Sequence, residues 1–220
     1  KEGCVFNEKA SKNIIIVGDS LLAPIAFEIK DRLNKENYKL NTFFLPGCFF
    51  FPDHDFVNKK TNKISKNCNK EYFLDIQKKI DKKKDAIIIF GGRFQLFFEN
   101  SPFNDEEGNK ELNVEFINQN KFIKDDGTTD IKNSFKDYIK KISKKNKIIL
   151  IYPFPENAYH VPRKLFKSYF IGKDIKASEN FLTTSYEVYL ERSKSSYSLL
   201  NSIDGKNIFR VYPHKVFCNT

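Results

Sequence analysis

Five short runs of the chain are apolar almost without interruption: Asn13–Gly18, Lys39–Leu45, Ala86–Gly91, Lys147–Tyr152 and Ile208–Tyr212. A strand that alternates apolar and polar residues shows one face to water. One that is apolar throughout is covered on both faces, the habit of parallel sheets. Between these runs apolar residues recur at helical spacing: Leu22, Ile25, Ile29 and Leu33 mark a helix over Leu21–Lys35, and Phe135, Ile139 and Ile142 mark one over Asp130–Lys145. Two more helices are predicted over Lys70–Lys83 and Ser178–Ser202. Strand and helix in alternation predict an α/β fold: a three-layer α/β/α sandwich with right-handed crossovers and a mainly parallel five-stranded sheet, of the flavodoxin-like kind.

One stretch breaks the alternation. Glu99–Gly127 includes "NKELNVEFINQNKFIKDDG", in which apolar and polar residues alternate, with Gly108 and Gly127 beside it. This predicts a hairpin insertion at the carboxyl edge of the third strand, the edge beyond which open α/β sheets bind ligands. Internal repeats and low-complexity linkers are absent from the 220 residues, so a single domain over 1–220 is expected.

Composition narrows the picture. Hydrophobic residues at 40% suffice for a buried core. No apolar run reaches the ~18 residues of a membrane-spanning helix. The chain begins with Lys1 and has no Met, which predicts a piece of a longer protein. Its net charge of +10 comes from lysines in short runs such as Lys82-Lys83-Lys84 and Lys140-Lys141. These runs fall on the polar faces of predicted helices, without an RNA-binding motif or an arginine cluster. They read as solvated surface, and no nucleic-acid partner is expected. The cysteines at 4, 48, 68 and 218 are too spread for a zinc site, so no metal is expected. Cys48 and Cys68 bracket a loop that a disulfide would stabilise by on the order of 3 kcal/mol, which requires an oxidising compartment; the alternative is a pair of buried thiols. The pairing of Cys4 and Cys218 stays open.

Candidate chemistry begins at the end of the first run, "NIIIVGDSLLAPI". A strand ending in glycine, followed by a small polar residue that opens a helix, presents the Ser20 hydroxyl at the open end of the sheet. Backbone N–H groups at the helix start can stabilise an oxyanion there. Asp19 and Ser20 are also good capping residues, so the tripeptide alone does not separate a site from a capped helix. The turn lacks a GxGxxG or GxxxxGK cradle, and no cofactor is expected. The next runs end at Gly47 in "LPGCFFFPD", at Gly91-Gly92-Arg93-Phe94, and in "ILIYPFPE". Phe49-Phe50-Phe51 occupies this edge, as either a pocket lining or a plug.

This ordered set resembles the SGNH (GDSL-type) hydrolases, and in particular the SGNH domain fused to bacterial membrane acyltransferases of acyltransferase family 3. The shared landmarks are the Cys beside the Gly (Cys48), an Arg followed by an aromatic residue in place of Gly-x-Asn (Arg93-Phe94), and a late Pro leading to a Cys (Pro213, Cys218). The resemblance spans about Asn13 to Cys218. It implies a domain on the periplasmic face of the inner membrane that places acyl groups, commonly acetyl, on cell-surface polysaccharide. A membrane acyltransferase domain in the same polypeptide is the implied partner. Ser20 is the implied nucleophile, with the N–H groups of Ser20 and Gly47 as oxyanion donors. Arg93 stands where an Asn donor is usual, serving either the oxyanion or a structural ion pair. Asp19 is expected to shape the turn.

The chain departs from the family pattern at the base. An Asp-x-x-His block is expected after the fifth strand. His54 and His160 fall elsewhere, and His214 has Val211, not Asp, three residues before it. The resemblance therefore implies a block beyond Thr220, with His214 as the alternative base. Other readings are a free-standing esterase or lipase and a degenerate glycan-binding module.

Overall fold

The computed structural model describes residues 3–33, 37–45, 47–99, 102–104, 110–111, 119–157, 160–171 and 183–218. In chain order the elements are β1 (Cys4–Phe6), β2 (Lys12–Gly18), a 3-10 turn (Ser20–Leu22), α1 (Ala23–Leu33), β3 (Tyr38–Phe44), β4 (Asp55–Asn58) and α2 (Lys70–Asp81). There follow β5 (Ile87–Gly91), α3 (Phe94–Phe98), β6 (Asn120–Ile123), α4 (Ile131–Ser143), β7 (Lys147–Ile151), α5 (Val161–Phe170), α6 (Tyr186–Asn201), β8 (Ile208–Val211) and α7 (His214–Phe217).

The main sheet runs β1-β3-β2-β5-β7-β8. The four pairings from β3 to β8 are parallel, and the central strands are apolar runs buried on both faces. Helices flank this sheet, as the alternation predicts, but it has six strands, not five. The extra strand, β1, pairs antiparallel with β3 at the edge. Its three residues, Cys-Val-Phe, are too short to show a period.

Two further expectations change. Part of the predicted hairpin lies outside the described residues. Within the rest, β6 pairs antiparallel with β4, more than sixty positions earlier, as a separate two-stranded sheet, and Asn104 bridges Lys110. The helix expected over Ser178–Ser202 begins at Tyr186, because the Ser185 hydroxyl caps it by accepting from Val188 N–H at 3.2 Å; residues 178–182 lie outside the described part. Capping likewise sets the starts of α2, where Asn69 accepts from Tyr72 N–H, and of α4, where Asp130 accepts from Asn133 N–H.

The two faces of the sheet are packed unequally. One carries α2, α4 and the end of α6 with an aromatic layer that includes Phe49, Phe50, Phe51, Phe73, Phe90, Phe94 and Phe135. The other carries α1 on a smaller aliphatic layer of Ile14, Ile16, Leu22, Ala26, Leu40, Ile89 and Ile151.

Candidate active site

Three strands of the sheet end level with one another. Gly18 at the end of β2 lies opposite Phe44 of β3 on one side and Gly91 of β5 on the other. Leu45 N–H continues the ladder onto the Gly18 carbonyl at 2.9 Å. Ser20, Gly47 and Arg93, two or three residues beyond these ends, therefore leave the sheet at the same edge. A side chain at Gly18 would fall on the Gly91 carbonyl oxygen, so the two strand ends meet backbone to backbone. Gly92 has φ +146°, and a Cβ there would lie 2.8 Å from Asp19 Oδ2 and 2.9 Å from the Phe49 ring.

Asp19 fastens these loops together. Its carboxylate is buried, with Oδ1 accepting from Leu21 N–H at 2.9 Å and Oδ2 accepting from Arg93 N–H at 2.7 Å. Burial pushes its pKa up, against the pull of those two N–H groups. The carboxylate is spent on the turn and on the neighbouring loop. Ser20, next to it, is exposed at the first position of the 3-10 turn, and its hydroxyl has no hydrogen-bond partner among the described residues. Gly47 is also exposed, with φ +67°, and its N–H is without a partner among the described residues.

Phe49, Phe50 and Phe51 are wholly buried. The Phe49 ring lies 4.8 Å from Phe94, and Phe51 lies 4.7 Å from Phe122. The triplet fills the space beneath the edge as core. A disulfide between Cys48 and Cys68 ties this loop to the start of α2, with the Cα atoms 5.8 Å apart.

Arg93 is held by two carboxylates. Its Nη1 and Nη2 donate to Glu111 at 2.8 and 2.7 Å, and its Nε donates to Glu156 at 2.6 Å. Glu156 also accepts from Arg192 Nε at 2.7 Å, so among the described residues two arginines and two glutamates meet in one cluster. Burial opposes ionisation of Glu111, but the Arg93 hydrogen bonds and charge outweigh it and hold its pKa below the usual range. Among the described residues three of the five Arg93 N–H groups are engaged. The cluster joins the loops after β5 and β7 to α6. No spacing rule foretells it, because Glu111, Glu156 and Arg192 lie in separate segments.

The three histidines are dispersed. His54 is buried and its Nδ1 donates to the Pro52 carbonyl at 2.7 Å, leaving Nε2 without a partner among the described residues. His160 caps α5, accepting from Arg163 N–H at 3.2 Å. His214 opens α7 after β8, three strands from β2 and so about 14 Å away across the sheet. Tyr189 donates to the Pro153 carbonyl at 2.9 Å. Tyr197 then supplies the proton between the two tyrosines, 3.0 Å apart, and accepts from His214 Nδ1 at 2.8 Å. That order leaves His214 Nε2 as a bare acceptor. Burial, followed by the charge of Lys215, lowers the His214 pKa and favours this neutral form. No hydrogen bond joins His214 to Ser20 among the described residues.

Among the described residues, no group of three His, Cys, Asp or Glu side chains could hold a metal ion. The model of the SGNH domain (fused to AT3 domains) matches residues 1–220. The chain belongs to this SGNH family. No curated protein matches the chain. Fusion to AT3 domains supports a membrane acyltransferase domain in the same polypeptide as this SGNH domain. Among the described residues, no helix is long and apolar enough to cross a membrane.

Proposed function

We propose that this SGNH domain transfers acyl groups, acetyl being the simplest, onto hydroxyls of a cell-surface polysaccharide through an acyl-enzyme on Ser20. The observation that carries the reading is the exposed, unengaged Ser20 hydroxyl at the level ends of β2, β3 and β5, beside the Gly47 loop. In the first half-reaction Ser20 Oγ bonds to the acyl carbonyl carbon and its proton passes to a base. The N–H groups of Ser20 and Gly47 receive the oxyanion, with Arg93 beside them. The donor's leaving group departs with a proton. A sugar hydroxyl then attacks the acyl-enzyme, gives its proton to the base, and regenerates Ser20. The periplasmic face of the inner membrane is the proposed location. The Cys48–Cys68 disulfide supports it, since such bonds persist in oxidising compartments.

The base is assigned to an Asp-x-x-His block downstream of Thr220. One feature of the fold supports a continuation of the domain. Phe209 and Val211 are 48% and 47% exposed, and their register with Ile149 and Ile151 puts them on the face that α1 covers elsewhere. Parallel strands ordinarily have both faces covered, which suits a further helix there.

The test is covalent labelling with a fluorophosphonate, comparing the 220 residues with the chain extended through its native downstream sequence. The extended chain should label at Ser20, and its Ser20→Ala variant should not. The 220-residue chain should label at least a hundredfold more slowly, since a base contributes roughly 10²–10⁴-fold. An extended chain that stays unlabelled would sink the acyl-enzyme and favour a glycan-binding module.

A further inference from the structure

Helix α5 leaves its aromatic residues in solvent. Phe166, Tyr169 and Phe170 are 62%, 74% and 69% exposed, and Ile171 just beyond the helix is 71% exposed. They form one continuous patch: the rings of Phe166 and Phe170 are 4.4 Å apart, and Tyr169 lies edge-on to Phe170 at 5.9 Å. At 3.6 residues per turn, Pro162, Phe166, Tyr169 and Phe170 share one arc of about 100°. Val161 and Leu165, which are half-buried, lie on a different side. The flank next to the aromatic arc holds Arg163 and Lys167, both exposed, and neither meets a carboxylate among the described residues. From His160 to Ile171 the chain has three cationic residues, Arg163, Lys164 and Lys167, and no acidic one.

The geometry points to α5 as an interfacial helix that rests on the anionic surface of a lipid bilayer, its aromatic arc sunk among the headgroups and its cations paired with lipid phosphates. An amphipathic helix with a ring-rich face and a lysine and arginine flank has the composition that such a boundary selects. Charge complementarity favours this occupant over a second copy of the chain, since two molecules each of net charge +10 repel one another. The inference rests on the membrane acyltransferase partner of the family, which would hold the domain beside a bilayer. It does not depend on the chemistry at Ser20.

Co-sedimentation of the 220-residue chain tests it, with vesicles of phosphatidylglycerol and phosphatidylcholine against phosphatidylcholine alone. The chain should pellet with the anionic vesicles at least tenfold more strongly than with neutral ones. The Phe166→Ser/Tyr169→Ser/Phe170→Ser variant should lose at least tenfold of that binding. The Arg163→Gln/Lys167→Gln variant should lose about fivefold for each charge removed, an effect that added salt also produces. The altered side chains are exposed, so both variants should keep the parent's thermal midpoint, which shows that they still fold. Ser20→Ala should bind vesicles like the parent, which separates this inference from the acyl-enzyme. Absence of sedimentation by the parent would overturn it, as would full binding by the aromatic variant. A dimer in light scattering that the aromatic variant abolishes would assign the patch to a second copy instead.

Discussion

The two faces of the sheet solve different problems. The face under α2 and α4 is an aromatic block in which Phe49, Phe94 and Phe135 pack ring against ring, closed by the Cys48–Cys68 disulfide. The face under α1 is thin and aliphatic, and the Ser20 turn sits over it on Leu22. One side is therefore the more heavily packed, and the Ser20 hydroxyl is presented on the other. Asp19 and Gly92 form the joint: Asp19 binds Leu21 on the thin side and Arg93 N–H across the strand end, and Gly92 lets the Phe49 ring come up beneath them. Such a division holds a serine in place without burying it.

The largest expected effect comes from breaking the thick face. Phe49→Ala should cost about 3–5 kcal/mol in urea unfolding, and Leu22→Ala on the thin face about 2–3 kcal/mol, because a thin layer collapses more readily into the space left. Equal losses would erase the contrast between the faces. Replacing Cys48 and Cys68 together by Ala should cost on the order of 3 kcal/mol by the same assay, through loss of loop closure in the unfolded chain. Next comes the joint. Gly92→Ala forces a side chain into a positive-φ position against Asp19 and Phe49, at about 1–3 kcal/mol. It should also slow labelling of Ser20 in the extended chain. Unchanged labelling would detach Gly92 from the site.

The smallest effects are pH slopes, and they have opposite signs. Burial raises the Asp19 pKa above its ordinary 3.8, so the stability this group contributes is complete below that value and declines as the pH rises through the folded value. Asp19→Asn should remove that decline. Glu111, held low by Arg93, contributes stability that is present above its ordinary 4.5 and is lost as the pH falls through the lowered value. Glu111→Gln should flatten that loss. Thermal midpoints measured across the acid range read both, and slopes of the same sign would contradict the assigned environments.

Legibility in the sequence followed locality. The five apolar runs became the five parallel strands, because an unbroken apolar run needs no distant partner to declare its pattern. The turn at Gly18-Asp19-Ser20 was readable for the same reason, as strand end and helix start lie within a few residues. What stayed hidden was distant pairing. β4 finds β6 across more than sixty positions, and Arg93 finds Glu111, Glu156 and, through Glu156, Arg192 from loops and a helix that carry no shared period. Phe49–Phe51 follow Gly47 at the edge where Ser20 lies, yet the rings turn inward, since burying three of them outweighs exposing them to water.

The most direct measurement is of the acyl-enzyme itself. The chain extended through its downstream sequence would be mixed with an activated acetyl ester, quenched in acid, digested, and the Ser20 peptide weighed by mass spectrometry. One acetyl group should appear on Ser20, be cleared when a glycan hydroxyl is supplied, and be absent from the Ser20→Ala variant. Turnover of the ester with Ser20 unmodified, or undiminished in Ser20→Ala, would contradict the acyl-enzyme.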